Sequence, residues 1–341
     1  MKIFSCVMLL FLLIRIECFA QDKNKPTLRF VFYNVENFFD TYDDTLTNDN
    51  EFLPGGLMRW NQKRYSEKIH AIYKVLAATG EWESPAVVGF CEVEKKSVLL
   101  DLINNTYLQK FNYGIIHEES DDLRGIDVCL IYRKDLVKIL DYKYFKPQTI
   151  PKTDFRTRSV LYSELLVSND TIHLLLNHWP SRRGGALAEE SLRTAISSMV
   201  RFKADSISAL FNSKAKIIIA GDFNCTPGDQ EIANLINISQ KEYIGVQNRL
   251  YNLSESAANK GLGTYKYRGA WEMIDQVIVS DWLINCNTGY STNSSFFRIF
   301  NSSFLLKPDP SYPGSIPFST YRGYRYQGGF SDHLPVILDL K

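Results

Sequence analysis

The amino-acid sequence predicts an α/β protein in which strands and helices alternate irregularly and part of the sheet is antiparallel. Three observations favour this fold class. Short apolar runs bounded by turn residues recur along the chain, longer segments have helical spacing, and two pairs of runs are joined by short polar turns that are typical of hairpins. The 341 residues, 45% of them hydrophobic, suffice for a substantial buried core.

The strongest strand patterns are apolar runs that end at polar residues. They cover residues 28–33, 86–91, 128–132, 161–167, 171–176, 217–220, 274–279 and 334–338. Helical spacing predicts helices over residues 61–78, 95–104 and 188–211. The chain has no linker rich in Pro, Gly and Ser and no internal repeat, so we expect one domain over residues 21–341. Within it, residues 282–328 predict a long surface excursion in which only residues 303–306 resemble a strand.

The N-terminus has the parts of a secretory signal peptide. A basic residue and an apolar run come first, and Ala20 lies where signal peptidase would cut. A membrane anchor is the alternative, but Arg15 and Glu17 interrupt a run that falls short of the roughly 20 residues needed to span a bilayer. Glu17 is also a poor match to the small residue expected before a lipidated Cys18. We expect residues 1–20 to be removed and the mature protein to be secreted or periplasmic.

Charge and cysteine content narrow the function classes. The chain has 39 basic and 38 acidic residues, and 37 of each remain beyond residue 20. This balance gives no support for nucleic-acid binding through net charge. The cysteines beyond residue 20 are Cys91, Cys129, Cys225 and Cys286, widely spaced and without a CxxC pair. We expect buried thiols rather than a disulfide framework or a metal cage.

Acidic and polar residues recur at the ends of the predicted strands, where a rigid sheet can direct side chains from distant parts of the chain into one cleft. They lie at positions 34–37, 92, 177–178, 221–224, 275 and 331–333. Any one of them alone is an ordinary turn signal. Their repetition predicts a functional site.

Asp222 and Asn224 belong to the segment Gly-Asp-Phe-Asn after a buried strand, and in extended geometry their side chains point the same way. The carboxylate can accept a proton from water or hold a metal, and the amide can donate to a phosphate oxygen without adding negative charge. An Asx turn closed by Pro227 explains the same residues equally well.

Two of the five histidines lie beside predicted strands. His178 follows Asn177 and precedes a basic loop with Arg182 and Arg183, which could grip a phosphate or could simply be solvated. His333 lies in Ser-Asp-His-Leu-Pro, and its reference pKa near neutrality suits contact with a phosphate or proton transfer.

Carboxylates at three strand ends could bind a cation. Glu36, Glu92 and Asp332 offer oxygen ligands only, which favours Mg²⁺, Mn²⁺ or Ca²⁺ over zinc. Glu94 lies two positions after Glu92 and is expected to be solvated.

In their order, these motifs resemble the endonuclease/exonuclease/phosphatase superfamily, which includes pancreatic-type deoxyribonucleases, abasic-site endonucleases, neutral sphingomyelinases and inositol-polyphosphate 5-phosphatases. The resemblance covers residues 28–340. It implies a four-layered α/β sandwich of two mainly antiparallel sheets with helices outside. Where many relatives have an Asp-Tyr or Asp-His pair in the strand over residues 274–279, this chain has Asp275 followed by Gln276.

The resemblance also implies roles. Glu92 would be the principal metal carboxylate, Asp222 would orient or deprotonate the attacking water, and His333 would contact the phosphate while Asp275 orients it. The complete predicted site comprises the catalytic residues His178, Asp222, Asn224, Asp275 and His333, the substrate-binding residues Arg124, Arg182 and Asn177, and the metal ligands Asn34, Glu36, Glu92 and Asp332.

These features predict an Mg²⁺-, Mn²⁺- or Ca²⁺-dependent phosphodiester hydrolase, first of all a secreted, monomeric, endonuclease-like nuclease without a membrane span. The expected basic and stacking rim comprises Arg182, Arg183, Lys266, Arg268, Tyr265, Tyr267, Trp271, Tyr321, Tyr324 and Tyr326. The alternative is a phosphatase or phospholipase C-type hydrolase of inositol or sphingolipid phosphates, which a hydrophobic tip on residues 295–325 would favour. A non-catalytic binding protein of the same fold is the third hypothesis.

Overall fold

Two six-stranded β-sheets form the centre of the fold. The computed structural model describes residues 27–81, 83–147, 156–182, 186–237 and 248–341. The predicted signal peptide, Cys18 and Arg183 lie outside these ranges.

Strands and helices follow one another in irregular order, as expected. The strands are β1 (Leu28–Phe38), β2 (Val87–Val93), β3 (Tyr113–Ile116), β4 (Asp127–Arg133), β5 (Val137–Phe145), β6 (Val160–Val167), β7 (Asp170–His178), β8 (Lys216–Asp222), β9 (Leu250–Asn252), β10 (Tyr265–Tyr267), β11 (Ala270–Glu272), β12 (Asp275–Ser280), β13 (Phe297–Ile299), β14 (Leu306–Pro308), β15 (Ser315–Pro317), β16 (Tyr321–Arg322), β17 (Arg325–Tyr326) and β18 (Val336–Leu340). The α-helices are α1 (Gln62–Gly80), α2 (Lys96–Asn104), α3 (Ala186–Leu210), α4 (Gln230–Ile236), α5 (Glu255–Ala258) and α6 (Asp281–Asn285), and 3₁₀ turns lie at Asn50–Phe52, Tyr107–Phe111, Ser294–Phe296 and Ser303–Leu305.

Helix α1 shows how local sequence sets an element's bounds. The Asn61 side chain accepts hydrogen bonds from the backbone N–H groups of residues 63 and 64, which the first turn leaves without partners. Ile69, Ile72, Val75 and Leu76 then recur every three or four residues and are buried. This apolar face packs on the first sheet.

The first sheet has the order β13-β18-β1-β2-β4-β3 and the second the order β5-β6-β7-β8-β12-β9. Neighbouring strands are antiparallel except for the pairs β1–β2 and β7–β8, which are parallel. A parallel pair needs a crossover, and α1 and α3 supply one in each sheet. In each parallel pair, the carboxyl ends of both strands therefore lie at the same edge of the sheet.

Alternate residues of each central strand face different layers. In β1, Phe30 and Phe32 join the core between the sheets, whereas Val31 and Tyr33 join the core beneath α1 and α2. Helices α3 and α4 cover the outer face of the second sheet. The predicted four-layered sandwich is confirmed.

The predicted strands and helices are present with bounds shifted by a few residues, but three features differ from expectation. Before residue 281, strands β3, β5, β9, β10 and β11 and the short helices α4 and α5 have no counterpart in the predicted set. Residues 303–306 mostly form a 3₁₀ turn, with strand β14 beginning only at residue 306. The excursion over residues 282–328 contains two short strand pairs, β14 with β15 and β16 with β17. The sequence did not predict them because each strand is too short to show a period-two pattern. No helix among the described residues is long and apolar enough to cross a membrane.

The two sheets pack closely at Gly89 of β2, where an added Cβ would lie 2.8 Å from both methyl carbons of Leu176 on β7. We expect Gly89→Ala to lower the free energy of unfolding by about 1–3 kcal/mol, because an extra methyl group overpacks this core. Gly55→Ala is the matched control, since nothing lies within 4 Å of its added Cβ. Urea unfolding should separate the two variants, and equal stability would contradict the tight sheet packing.

Candidate active site

The carboxyl ends of the two parallel strand pairs meet at one edge of the sandwich. On the second sheet, His178 is paired with Asp222, which is paired in turn with Asp275. From the first sheet, Asn34 Nδ2 donates to Asp222 Oδ2 at 3.0 Å and lies 3.4 Å from Glu92 Oε1. This hydrogen bond joins the sheets directly at the site.

Irregular backbone directs side chains into this region. The β1–β2 register shifts between Asn34 and Phe38, and β2 shifts against β4 beside Glu92. Glu36, Asn37 and Glu92 have φ angles of 52°, 52° and 63°, values that non-glycine residues adopt at a cost of about 1–3 kcal/mol. Asn37 N donates to Glu92 Oε2 at 2.9 Å, which holds the carboxylate in place. Bulges of this kind re-aim a side chain at a sheet's edge.

These side chains border a cleft of about 750 Å³. Its lining includes most of the predicted site. The lining residues are Asn37, Glu92, Arg124, Arg158, His178, Pro180, Ser181, Arg182, Asp222, Asn224, Tyr265, Tyr267, Glu272, Ile274, Asp332 and His333.

Asp222 lies at the centre of the cleft, next to Asn34 and both histidines. Besides Asn34, the Nε2 atoms of His178 and His333 lie 3.7 and 3.9 Å from its Oδ2 atom. The pKa of Asp222 is raised to about 7, with burial as the largest cause; His333 opposes the shift and Asp275 adds to it. The carboxylate is thus balanced between its protonated and ionised forms near neutrality, as a group that receives a proton from water should be.

The two histidines have opposite environments. His333 Nδ1 lies 2.7 Å from Asp275 Oδ2, so the contact expected from the sequence is present. Burial alone would lower the pKa of His333, but Asp275, Asp222 and Asp332 hold it well above its ordinary value. Burial and the cations of Arg158 and Arg124 instead lower the pKa of His178. His333 can therefore donate to an anion, whereas His178 is neutral near pH 7.

Glu92 and Asp332 are suited to hold a divalent cation, and Asn34 lies beside Glu92 with Oδ1 accepting from the Glu36 backbone N–H at 3.0 Å. Carboxylate and amide oxygens suit a hard cation, and the Glu92 and Asp332 side chains are 15% and 39% exposed in the cleft. Cys91 has its sulfur in a group with ligand atoms of His178 and Asp222 that all lie within 4.8 Å of one another. Burial raises the pKa of the Cys91 thiol well above its usual value, so it stays protonated and is a poor ligand.

The structure does not bring Glu36 or Asn177 to the cleft. Glu36 accepts hydrogen bonds from the backbone N–H groups of Thr320 and Tyr321 at 2.6 and 3.0 Å, and the predicted ligand lies behind the site. Asn177 turns into the second sheet, where Nδ2 donates to the carbonyl of residue 175 and Oδ1 accepts from the Trp179 indole. The alternation of side chains along β7 sends Asn177 and His178 to different sides.

Arg158 is a cleft residue that the sequence did not reveal. It is 8% exposed, and its guanidinium donates to Asp122 Oδ2 at 2.8 Å and to the Trp179 carbonyl at 2.9 Å. The same carbonyl accepts from Asn224 Nδ2 at 2.9 Å. An isolated Arg before a strand carries no motif, so only the three-dimensional contact identifies it.

Part of the expected rim has other partners. The Lys266 side chain is only 2% exposed and pairs with Asp309 at 3.1 Å, and Tyr321 is buried beside Trp60. Arg182 lines the cleft, while its guanidinium also pairs with Asp229.

Glu94 is buried, contrary to expectation. It accepts from Asp40 N at 2.6 Å and pairs with Lys95 at 2.8 Å, and burial raises its pKa to about 7. Among the cysteines, Cys91, Cys129 and Cys225 are buried free thiols as expected, and Cys286 is partly exposed.

The sequence model of the Endonuclease/Exonuclease/phosphatase family matches residues 29–341. The chain belongs to this family. The protein is accordingly a metal-dependent phosphoric ester hydrolase. No curated protein matches the chain.

Solved structures of the same fold cover nearly the whole chain at low identity. D. rerio TDP2 in complex with a single-strand DNA product has a TM-score of 0.55 and 16% identity over 93% of this chain and 100% of that chain. An endonuclease/exonuclease/phosphatase from Bacteroides vulgatus has a TM-score of 0.54 and 14% identity, over 93% of this chain and 99% of that chain. The human Nocturnin catalytic domain with bound sulfate has a TM-score of 0.54 and 14% identity, over 93% of this chain and 95% of that chain. At these identities the similarity establishes the fold.

Glu92→Gln should lower turnover at least about 100-fold and raise the Mg²⁺ concentration for half-maximal activity, because it removes a carboxylate suited to the cation. Glu94→Gln is the matched control, since this buried carboxylate two positions along does not line the cleft. Activity should be titrated against Mg²⁺, with direct Mg²⁺ binding followed by calorimetry. Full wild-type activity in excess chelator would exclude a metal role for Glu92.

Asp275→Asn and His333→Ala should each lower kcat by about 10²–10⁴-fold, because the Nδ1 contact fixes the imidazole that faces the cleft. The double variant should lose little more than the worse single variant if the two residues act as a unit. Steady-state kinetics of all four proteins form the cycle. Losses that multiply fully would mean that Asp275 and His333 act independently.

Proposed function

We propose that the protein is a secreted, divalent-metal-dependent nuclease that hydrolyses phosphodiester bonds of nucleic acid. The observation that carries this proposal is the pairing of cations and tyrosines around the Asp222–His333 centre in one cleft. Arg124, Arg158 and Arg182 line it on the side of β4, β6 and β7, and two tyrosines line it on the side of the hairpin β10–β11. Guanidinium groups suit phosphates, and aromatic rings suit unstacked bases.

A nucleic-acid chain offers both chemistries, because each phosphate is flanked by bases. Tyr267 is 45% exposed, and Tyr265 lies with its ring 5.0 Å from that of His333. The zero net charge beyond residue 20 does not oppose this proposal, since local cations in the cleft attract phosphate where it reacts. The single-strand DNA product in the similar D. rerio TDP2 structure supports the same substrate class.

The lipid alternative lacks the feature that would favour it. Within residues 295–325, the exposed large hydrophobic side chains are Tyr312 and Tyr324. Two separate tyrosines do not form an apolar tip that could enter a membrane surface.

A divalent cation at Glu92 and Asp332 would neutralise charge on the phosphate and lower the pKa of a bound water. The chain's own residues supply the remaining chemistry. Asp222 accepts the proton of the attacking water, and Asn34 holds its carboxylate from the opposite sheet at 3.0 Å. His333 Nε2 donates to a non-bridging phosphate oxygen, while Nδ1 is held by Asp275.

Neutral His178 presents Nε2 between Glu92 and Asp222, at 3.9 and 3.7 Å, and can donate to a second phosphate oxygen. Asn224 adds a further amide donor to the cleft, next to Arg182, whose Nε donates to the Asn224 carbonyl at 2.9 Å. These donors stand where negative charge grows in an in-line displacement at phosphorus.

Four substrates tested in parallel discriminate the hypotheses. Plasmid DNA, RNA, bis-p-nitrophenyl phosphate and inositol phospholipids should be incubated with and without Mg²⁺. Metal-dependent cleavage of DNA or RNA supports the proposal. Turnover of the phospholipids alone would replace it with the lipid hydrolase, and no turnover of any substrate would favour a binding protein.

Tyr267→Ala should raise KM for a single-stranded oligonucleotide about 5- to 100-fold, since stacking contributes about 1–3 kcal/mol per base. Tyr267→Phe should behave like the wild type because the ring remains. Tyr324→Ala is the control, as this residue is 63% exposed but does not line the cleft. If Tyr267→Ala and Tyr324→Ala have the same KM, the stacking role is wrong.

Export is part of the same proposal and rests on the signal-peptide pattern of residues 1–20. We expect the mature protein to begin at Gln21. N-terminal sequencing of protein from envelope and culture fractions checks this, and an intact Met1 in those fractions would refute it.

A further inference from the structure

The Asp275 carboxylate is held on one side only. Its Oδ2 atom accepts from His333 Nδ1 at 2.7 Å and from the Thr264 hydroxyl at 2.5 Å. Its Oδ1 atom has no hydrogen-bond partner in the described part of the chain. The torsion that rotates a carboxylate is soft, so its orientation depends on these two donors.

Thr264 is positioned to donate in one direction. The backbone N–H of Asp275 donates to Thr264 Oγ1 at 3.2 Å, which occupies a lone pair and leaves the hydroxyl proton for the carboxylate. Thr264 is fully buried, so water is not available to replace its hydroxyl.

Thr264 also holds the backbone that carries His333. Its carbonyl accepts from Leu334 N at 2.8 Å, and the next residue, Tyr265, forms a β-bridge with His333. Thr264 thus contacts Asp275 directly and holds the backbone of Leu334, the residue that follows His333.

The hairpin that follows Thr264 is anchored away from the cleft. Lys266 of β10 forms an ion pair with Asp309 in which both side chains are 2% exposed, and its Nζ donates to the Pro313 carbonyl at 3.0 Å. The excursion over residues 282–328 therefore supports the hairpin from behind.

We propose that Thr264 is a positioning residue for catalysis, which fixes the Asp275 carboxylate so that His333 presents Nε2 to the phosphate. Without the hydroxyl, Asp275 can rotate about its terminal torsion and the imidazole loses its fixed acceptor. The inference rests on phosphoric ester hydrolysis and holds whether or not nucleic acid is the substrate.

Thr264→Val removes the hydroxyl while keeping the shape of the side chain. We expect kcat for bis-p-nitrophenyl phosphate to fall about 10- to 100-fold with KM changed less than about 2-fold, the loss expected for a hydrogen bond to a charged group. Thr264→Ser should restore most of kcat, because it restores the donor.

Thr292→Val is the matched control for folding. Thr292 is 2% exposed, and its hydroxyl donates at 2.9 Å to the carbonyl of Asp339, which is paired with Arg29 at the start of β1. It should cost stability, measured as Tm, without lowering kcat. An equal loss of kcat in Thr292→Val, or no rescue by Thr264→Ser, would overturn the positioning role.

A cycle with Asp275→Asn tests whether Thr264 acts through Asp275. In the Asp275→Asn background, Thr264→Val should lower kcat less than about 2-fold further. The same fold-loss in both backgrounds would overturn the proposal.

A spectroscopic readout makes the test independent of turnover. The imidazole ¹⁵N signals of His333, assigned by their absence in His333→Ala, should report a fixed Nδ1–H donor in the wild type and in Thr264→Ser. They should shift or broaden in Thr264→Val. Unchanged His333 signals in Thr264→Val would refute the proposal even if the nuclease proposal fails.

Discussion

The site depends on the meeting of two parallel strand pairs at one edge of a sandwich. Each crossover helix lies on an outer face, so the carboxyl ends of β1–β2 and β7–β8 stay uncovered and face each other across the core between the sheets. The Asn34–Asp222 hydrogen bond closes this meeting point between residues 188 positions apart. A one-residue change in the pairing register of β1 or β8 would turn the side chains of that strand to the opposite face and separate the two halves of the site.

Concentrating carboxylates in such a place is unfavourable without compensation. Asp222 and Glu36 both have a pKa raised to about 7, with burial the largest cause. His333 offsets the charge of Asp222, and Lys68 offsets that of Glu36. The exposed face, with Glu92 and Asp332, is left for a divalent cation. The buried carboxylates at the site therefore destabilise the folded protein locally, and the hydrophobic cores on both faces of each sheet offset this cost.

His178 and His333 differ in charge near neutrality although both lie next to Asp222. Their separation comes from neighbours in the fold: arginines from the loops before β4 and β6 face His178, and carboxylates surround His333. A donor that is charged and one that is neutral can then act on different oxygens of one phosphate. The hairpin β10–β11 lies against His333, and the excursion over residues 282–328 holds this hairpin through the Lys266–Asp309 ion pair. The excursion thus has a structural role although it contains little regular structure.

Local sequence patterns predict the central strands, the three long helices and most of the cleft residues. Period-two and period-3.6 apolar spacing located the central strands and the three long helices, and polar residues at strand ends located Glu92, Asp222 and His333. Only the tertiary structure decided where Glu36 points, because a left-handed backbone at a bulge is not visible in residue types. It also decided that Arg158 enters the cleft and that Lys266 does not. Both outcomes depend on through-space partners, Asp122 and Asp309, whose distance along the chain leaves no periodic signal.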